Sequence, residues 1–477
     1  MTRWIMLLTP TLLVGCLLGP QHRLPEVSLP DTILVPGADE NHGADWLSWW
    51  QQFNDPALDL LVATATRDNL DLQQQAARVR AARAELGFAD AERWPTVDVQ
   101  AEASRNQQPA AAFGFDGAAS GPRSLFSVSG ALGYELDLWG RLARGREAAS
   151  ALLASEVYAR EALRLAVIAD VVNTYFETRA ALRSVQITEE AIATRERAVA
   201  LQTIRYEAGM VDRLVLLQVQ SELAAAKSQL PEQRQQLGRL ETALAILVGS
   251  DPRQLFQSFG FGDVALADLR LIEALPPVLP SEMLARRPDI RAADAALQAA
   301  NAAIGQAMAQ RLPSINLFGM VGSIASETGD WLTSGAEAWG LGTSVLGPVV
   351  DFGRGRSRVE VAEAERDRAA LRYLATVQIA FGEVRDALMS FETSRERVES
   401  LQRQVSVLKE TEALAEVRYD GGASIFLEVL DARRALLDAE LALSQAEQQQ
   451  LSASATLFKA LGGGWDPNAV AADDGAG

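Results

Sequence analysis

The chain is short of the side chains that carry most enzyme chemistry. Among its 477 residues stand one cysteine, Cys16, and two histidines, His22 and His42. A lone cysteine excludes an intramolecular disulfide, and so few thiols and imidazoles remove most metal-site and nucleophile schemes. There is no P-loop, no GxGxxG following a strand and no serine nucleophile elbow. Carboxylates are plentiful, but they fall in long helical runs dense in arginine, where they are solvated or paired. Positive charge is in deficit: 44 Lys and Arg against 62 Asp and Glu leave −18, which argues against nucleic acid or an anionic membrane surface as partner. The apolar stretch at residues 4–14 is broken by Thr9, Pro10 and Thr11 and is too short to cross a bilayer as a helix.

What the sequence does contain is a long duplication. Arg205-Tyr206-Glu207-Ala208-Gly209 recurs as Arg418-Tyr419-Asp420-Gly421-Gly422, an offset of 213 that also carries Gly140-Arg141 onto Gly353-Arg354 and Gly249 onto Gly462. An offset of 218 carries Asp71-Leu72 onto Asp289-Ile290, Gly87 onto Gly305 and Pro95 onto Pro313. The copies therefore differ by five residues, lost between Pro313 and Gly353, where a loop is expected. A unit this long is no stacked solenoid; it predicts one architecture of two intertwined halves, residues 51–264 and 265–464, with a disordered tail at 465–477.

The N-terminus reads as a signal peptide over residues 1–15, with Arg3 before the apolar stretch. It ends in Leu13-Val14-Gly15-Cys16, which resembles the lipobox of bacterial lipoproteins, with Cys16 as the lipidated first residue. Leu17 stands where an aspartate would signal inner-membrane retention, which favours the outer membrane. Residues 16–50 read as a lipid-anchored extended segment laid over the body, ending in the cluster Trp46, Trp49 and Trp50.

From Asp55 the apolar spacing predicts a helix through Arg93, stopped by Trp94-Pro95. Residues 96–104 then alternate, Val97, Val99, Ala101 and Ala103 opposing Asp98, Gln100, Glu102 and Ser104. Residues 126–138 repeat the pattern, as do Ile315 and Leu317, then Trp339, Leu341, Thr343 and Val345. Each half thus gives strand, loop, strand. One apolar and one polar face is the pattern of a membrane barrel; four strands are too few to close one, so several chains have to share it. From Gly140-Arg141 to Gly209 and from Gly353-Arg354 to Gly421 run two helical stretches of about 68 residues, on the order of 100 Å each. Val398, Leu401, Val405, Leu408, Glu412, Ala415 and Tyr419 form a coiled-coil seam; Val185, Ile192, Val199 and Tyr206 keep a seven-residue step. At Gly209 and Gly422 the chain reverses into return helices at 214–248 and 426–461, with Pro231 expected to kink the first.

Long helix, RYxxG-type turn, return helix and strand-loop-strand, duplicated and preceded by a lipobox, resemble the TolC-like outer-membrane efflux proteins. The narrower likeness is to the lipoprotein branch serving resistance-nodulation-division (RND) pumps. It is carried by Ala84, Gly87, Trp94-Pro95, Asp137-Leu138-Trp139-Gly140-Arg141, Leu312-Pro313, Asp351-Phe352-Gly353-Arg354, Arg418-Tyr419, Gly422 and residues 427–432. The resemblance implies a fold that is mainly α with membrane β. In it a homotrimer shares a 12-stranded outer-membrane barrel, continuous with a periplasmic helical barrel. It implies no enzymatic role and no cofactor or metal. The expected partners are outer-membrane lipid, a periplasmic adaptor and an inner-membrane RND transporter, with drugs or other small molecules passing through. By position, Arg418, Tyr419 and Tyr206 become gate contacts, Glu428 and Asp431 constriction carboxylates, and Gly209 and Gly422 the tips an adaptor touches. Leu214 and Val215 stand where an aspartate often assists closure, and Ser424 replaces an arginine of some relatives. Read from residues alone, Tyr206 and Tyr419 are also compatible with seam packing, and Glu428 and Asp431 with a solvated face. A lipid-anchored periplasmic scaffold, a lipoprotein enzyme, or a duct for metals or secreted protein are the rival readings; the scaffold leaves the strands unexplained.

Overall fold

A computed structural model of the chain describes residues 17–27, 47–107, 122–251, 266, 269, 286–327, 329–330 and 333–466. The signal peptide at 1–15, Cys16, Trp46, His42 and the tail from 467 lie outside the described residues. The helices are α1 (Pro56–Asp68), α2 (Leu70–Ala91), α3 (Arg141–Glu207), α4 (Arg213–Val248), α5 (Pro288–Ala309), α6 (Arg354–Asp420) and α7 (Phe426–Ala460). The strands are β1 (Thr96–Asn106), β2 (Arg123–Leu136), β3 (Ser314–Ala325) and β4 (Glu337–Leu346). Two compact units form, one from residues 1–26, 78–156 and 292–374, the other from 27–77, 157–291 and 375–477. Each takes material from both copies of the repeat, so the sequence halves are not the spatial bodies; α3 and α6 each run from the first unit into the second.

In the first unit the strands form one antiparallel meander in the order β1-β2-β3-β4. Val97 faces Leu132, and Gly130 faces Val321, which faces Trp339. This register gathers the apolar residues onto one face, where Trp339 and Leu341 are 80% and 81% exposed. The other face carries Asp98, Gln100, Ser127, Ser129 and Glu135 on β1 and β2 but Phe318 and Met320 on β3, which blurs the expected polarity there. Gly342 has no side chain because Phe318 lies over it. The connection between β1 and β2 spans 107–122 and that between β3 and β4 spans 326–336, 16 residues against 11, which accounts for the five-residue loss.

Of the expected extended N-terminal segment, the part around Leu18–Pro20 is laid on the helices of this unit. Arg144 Nε donates to the Leu18 carbonyl at 2.8 Å and Asn301 Nδ2 to that of Pro20 at 2.9 Å. At the sheet's exit two aspartates cap the long helices: Asp137 accepts from the Leu142 and Ala143 N–H groups, Asp351 from those of Gly353 and Gly355. An N-terminal carboxylate satisfies orphan donors and complements the helix dipole.

In the second unit a 3₁₀ turn, Trp49–Phe53, buries Trp49 and Phe53, and Trp49 stacks on Phe458 at 5.6 Å between centroids. Asp55 caps α1 through the Ala57 N–H and accepts a 2.5 Å bond from the Tyr175 hydroxyl of α3. The single helix expected from Asp55 to Arg93 is two. Asn69 breaks it: its Oδ1 accepts from Asp71 and Leu72 N–H groups and starts α2, while its Nδ2 donates to the Leu247 carbonyl. Pro231 lies inside α4, which continues through it. The ordered body also reaches past Gly464, where the tail was expected to begin at 465. Trp465 is buried and its indole donates to the Arg286 carbonyl.

The long helices have 67 residues each. Gly140 and Gly353, Gly209 and Gly422, and Gly249 and Gly462 all take left-handed φ between 71° and 88°, so the duplicated glycines mark the same helix ends in both copies. They are not equally demanding. Around Gly209 nothing lies within 4 Å, whereas a Cβ on Gly249 would overlap the Asp68 carbonyl. Gly209→Ala should cost only the backbone term, about 1–2 kcal/mol, and Gly249→Ala distinctly more. The apparent thermal midpoint of the extracted protein checks this, with Gly249→Ala expected lower than Gly209→Ala.

Candidate functional site

The site is built where the C-terminal ends of α3 and α6 meet the starts of the return helices, all within the second unit. Both turns close with the same backbone bonds. Met210 N donates to the Arg205 carbonyl and Gly209 N to that of Tyr206; Ala423 N and Gly422 N do the same to Arg418 and Tyr419. This paired six-to-one and five-to-two pattern needs a left-handed residue, which glycine supplies. Asp212 caps α4 through the Leu214 N–H at 3.1 Å, whereas Ile425, ahead of α7, offers no side-chain cap.

Above the turns the two copies diverge. Tyr419 packs edge-on against Phe426 at 4.9 Å, at the border of a buried cluster formed by Val219, Ala415, Phe426, Val429, Leu430 and Ala432. Its hydroxyl accepts from Gln202 Nε2 at 3.3 Å and Arg205 Nη1 at 3.4 Å, both on α3. The Arg205 guanidinium lies 5.7 Å from the Tyr419 ring centre and 3.6 Å from the Asp420 carboxylate. One tyrosine thus joins α3, α6 and α7. Its repeat counterpart Tyr206 is 40% exposed and outside that cluster.

The other expected residues lie nearby. Arg418 pairs with Glu428 at 3.8 Å and Asp431 with Arg434 at 3.9 Å; all four are half-exposed or more, so such pairs contribute about 0.2–1 kcal/mol each. A groove of about 390 Å³ runs beside Tyr419, lined by Leu201, Gln202, Arg205, Phe426 and Arg433 among others; Arg418, Glu428 and Asp431 do not line it. Ser424 Oγ is buried without a hydrogen-bond partner.

Sequence reading missed the polar seam of α3. Thr188, Arg195 and Gln202 recur every seven residues, all buried, and each has a polar atom without a partner: Oγ1, Nη1 and Oε1. The signal was present, because they interleave with Val185, Ile192 and Val199 at heptad spacing, but attention to apolar positions hides a polar stripe. Arg195 lies 3.9 Å from Glu222 of α4, and Glu222 also accepts from Arg434 of α7. Burial draws the Arg195 guanidinium below its ordinary pKa, against the opposing pull of Glu222, with Arg433 and Arg434 adding to the fall. The neighbouring Arg433 turns the other way, to Glu412 and Glu416 of α6. Adjacent arginines therefore fasten α7 on two sides, Arg433 within the α6–α7 pair and Arg434 across to α4.

A family model described as outer membrane efflux protein matches residues 61–250 and 279–463, one stretch per copy of the repeat. Outer membrane protein OprJ of Pseudomonas aeruginosa is 34% identical, over 96% of this chain and 95% of its own. Toluene efflux pump outer membrane protein TtgC of Pseudomonas putida is 31% identical, over 96% and 94%. The solved CmeC outer membrane channel of Campylobacter jejuni superposes with a TM-score of 0.88 at 25% identity, over 97% of this chain and 98% of that one. The chain belongs to the outer membrane efflux protein family. Its class is that of a passive outer-membrane efflux channel, mainly helical with a four-stranded sheet per chain, and it is not an enzyme.

Glu222 lies against both Arg195 and Arg434. Glu222→Gln should destabilise this region by about 3–5 kcal/mol, since it strands a buried cation. Arg434→Gln should cost about 1 kcal/mol or less, its side chain being 54% exposed. Hydrogen exchange of the α7 amides reads the difference: protection should fall sharply in the first variant and little in the second.

Proposed function

We propose that three copies of this chain form one exit duct, with twelve strands in a shared outer-membrane barrel and paired helices in a periplasmic tunnel that rests closed. The observation that carries the closed state is Tyr419. It ties the end of α3 to the α6–α7 pair through Gln202, Arg205 and Phe426, and opening requires that contact to part. Arg418, Tyr419, Glu428 and Asp431 form the gate and constriction, with exposed Tyr206 beside them at the other tip. The turns at Gly209 and Gly422 receive a periplasmic adaptor, which couples the duct to an inner-membrane RND transporter that supplies the energy. Small molecules are the cargo; the likeness to a channel named for toluene efflux supports apolar ones. Cys16, acylated, anchors each copy to the outer membrane, and the ordered path of residues 17–26 along α3 and α5 supports a fixed route from that anchor.

The deciding experiment is planar-bilayer conductance of the detergent-extracted protein, with its native mass measured on the same preparation. A trimer of low conductance is expected, rising several-fold when Arg418 and Tyr419 are both replaced by alanine. An unchanged conductance would reduce both residues to packing. Cys16→Ser should abolish incorporation of labelled palmitate; label retained in that variant would end the lipid-anchor reading.

A further inference from the structure

The segment joining β4 to α6 is apolar, exposed and held at both ends. Leu346, Val349, Val350 and Phe352 fall within seven residues, and Val349 and Phe352 are 97% and 98% exposed. At one end Gly347 lies so close to Pro313 that a Cβ would come within 2.8 Å of its Cα. At the other, Asp351 accepts from the Gly353 and Gly355 N–H groups at 3.0 and 2.8 Å. Phe352 is held at φ 51°, a left-handed conformation that bulky side chains rarely adopt. Apolar residues held in a strained, anchored loop and presented to solvent mark an interaction surface.

Strand register identifies what lies beside them. Thr96 faces Gly133, Leu136 faces Ile315 and Ser314 faces Leu346, so β1 begins and β4 ends at the same end of the sheet. When β4 of one copy pairs antiparallel with β1 of the next, residues just beyond Leu346 run alongside those just before Thr96. Those include Trp94 and, on the last turn of α2, Phe88, which are 73% and 68% exposed. We propose that Val349, Val350 and Phe352 of each copy dock on Trp94 and Phe88 of the next, an apolar clasp that closes the ring at the junction of sheet and helices. The clasp rests on the homotrimer proposed above, and its occupant is a second copy of this chain.

Cysteine pairs test it in the full-length protein, because Cys16 in the unsubstituted chain serves as the control. Within one chain β1 and β4 stand three strand spacings apart, about 14 Å. A disulfide needs Cα atoms within about 7 Å, so a bond between these positions reports two copies. Oxidation of Trp94→Cys/Val349→Cys and Trp94→Cys/Phe352→Cys should give disulfide-linked dimers and trimers on a non-reducing gel, with each single substitution and the unsubstituted chain giving none. A preparation of trimeric mass in which neither pair cross-links overturns the clasp and leaves the trimer standing. A monomeric preparation overturns both. Labelling of Phe352→Cys by a membrane-phase maleimide in vesicles, again without cross-links, would assign the loop to lipid and also overturn the clasp.

Discussion

Inside a bilayer every backbone N–H and C=O needs a partner within the protein, because hydrocarbon offers none. A four-stranded meander meets that demand between its strands and leaves the outer sides of β1 and β4 open. Much of the architecture answers to this constraint. The apolar face cannot be covered by the chain's own helices without giving up the lipid it faces, so the edges are satisfied by further copies of themselves. Sharing one barrel among copies in turn fixes where the long helices begin. Each leaves the sheet through an aspartate cap and a left-handed glycine, Asp137 with Gly140 and Asp351 with Gly353. Nothing but helix follows for 67 residues in either copy.

Helices of that length are stabilised by their seams, and the two seams differ in kind. On α6 the positions from Val398 to Tyr419 at heptad spacing are the buried or half-buried ones, mostly aliphatic. On α3 the buried step passes through Thr188, Arg195 and Gln202. A polar residue in a coiled-coil seam specifies register at a cost in stability, and each of these three leaves one polar atom without a protein partner. Such a seam parts more readily than an aliphatic one, since water can satisfy the groups exposed. Glu222 of α4 lies against Arg195 of this seam and also holds Arg434 of α7, while Arg433 binds within the α6–α7 pair.

Legibility in the sequence followed the physics of each signal. Period-two alternation, a 213-residue self-match and paired glycines are strong local patterns, and they located the four strands, both long helices and the reversals at Gly209 and Gly422. The break at Asn69 was invisible because no glycine or proline marks it; the asparagine acts through a bond to Leu247, far along the chain. The compact units escaped for a related reason: a helix that crosses both bodies carries no boundary in its own sequence. At the site, the repeated motif marks both Arg205-Tyr206 and Arg418-Tyr419. That Tyr419 meets Arg205 and Gln202 was not legible, because the contact crosses from one copy to the other.

The duplicated tyrosines show how equal sequence acquires unequal roles. Arg205-Tyr206 and Arg418-Tyr419 end equivalent helices with equivalent backbone bonds, so the local structure does not separate them. The difference lies 213 residues apart in the return helix, where Phe426 stands at the place of Arg213. Phe426 offers an aromatic face, which draws Tyr419 toward the core and turns its hydroxyl to α3. An arginine at that position offers Tyr206 no apolar cluster to join, and Tyr206 remains exposed. Burial of one phenylalanine therefore assigns the interhelix contact to the second copy. It frees the first copy's tip, with exposed Met210 and Leu214, to present an apolar surface instead.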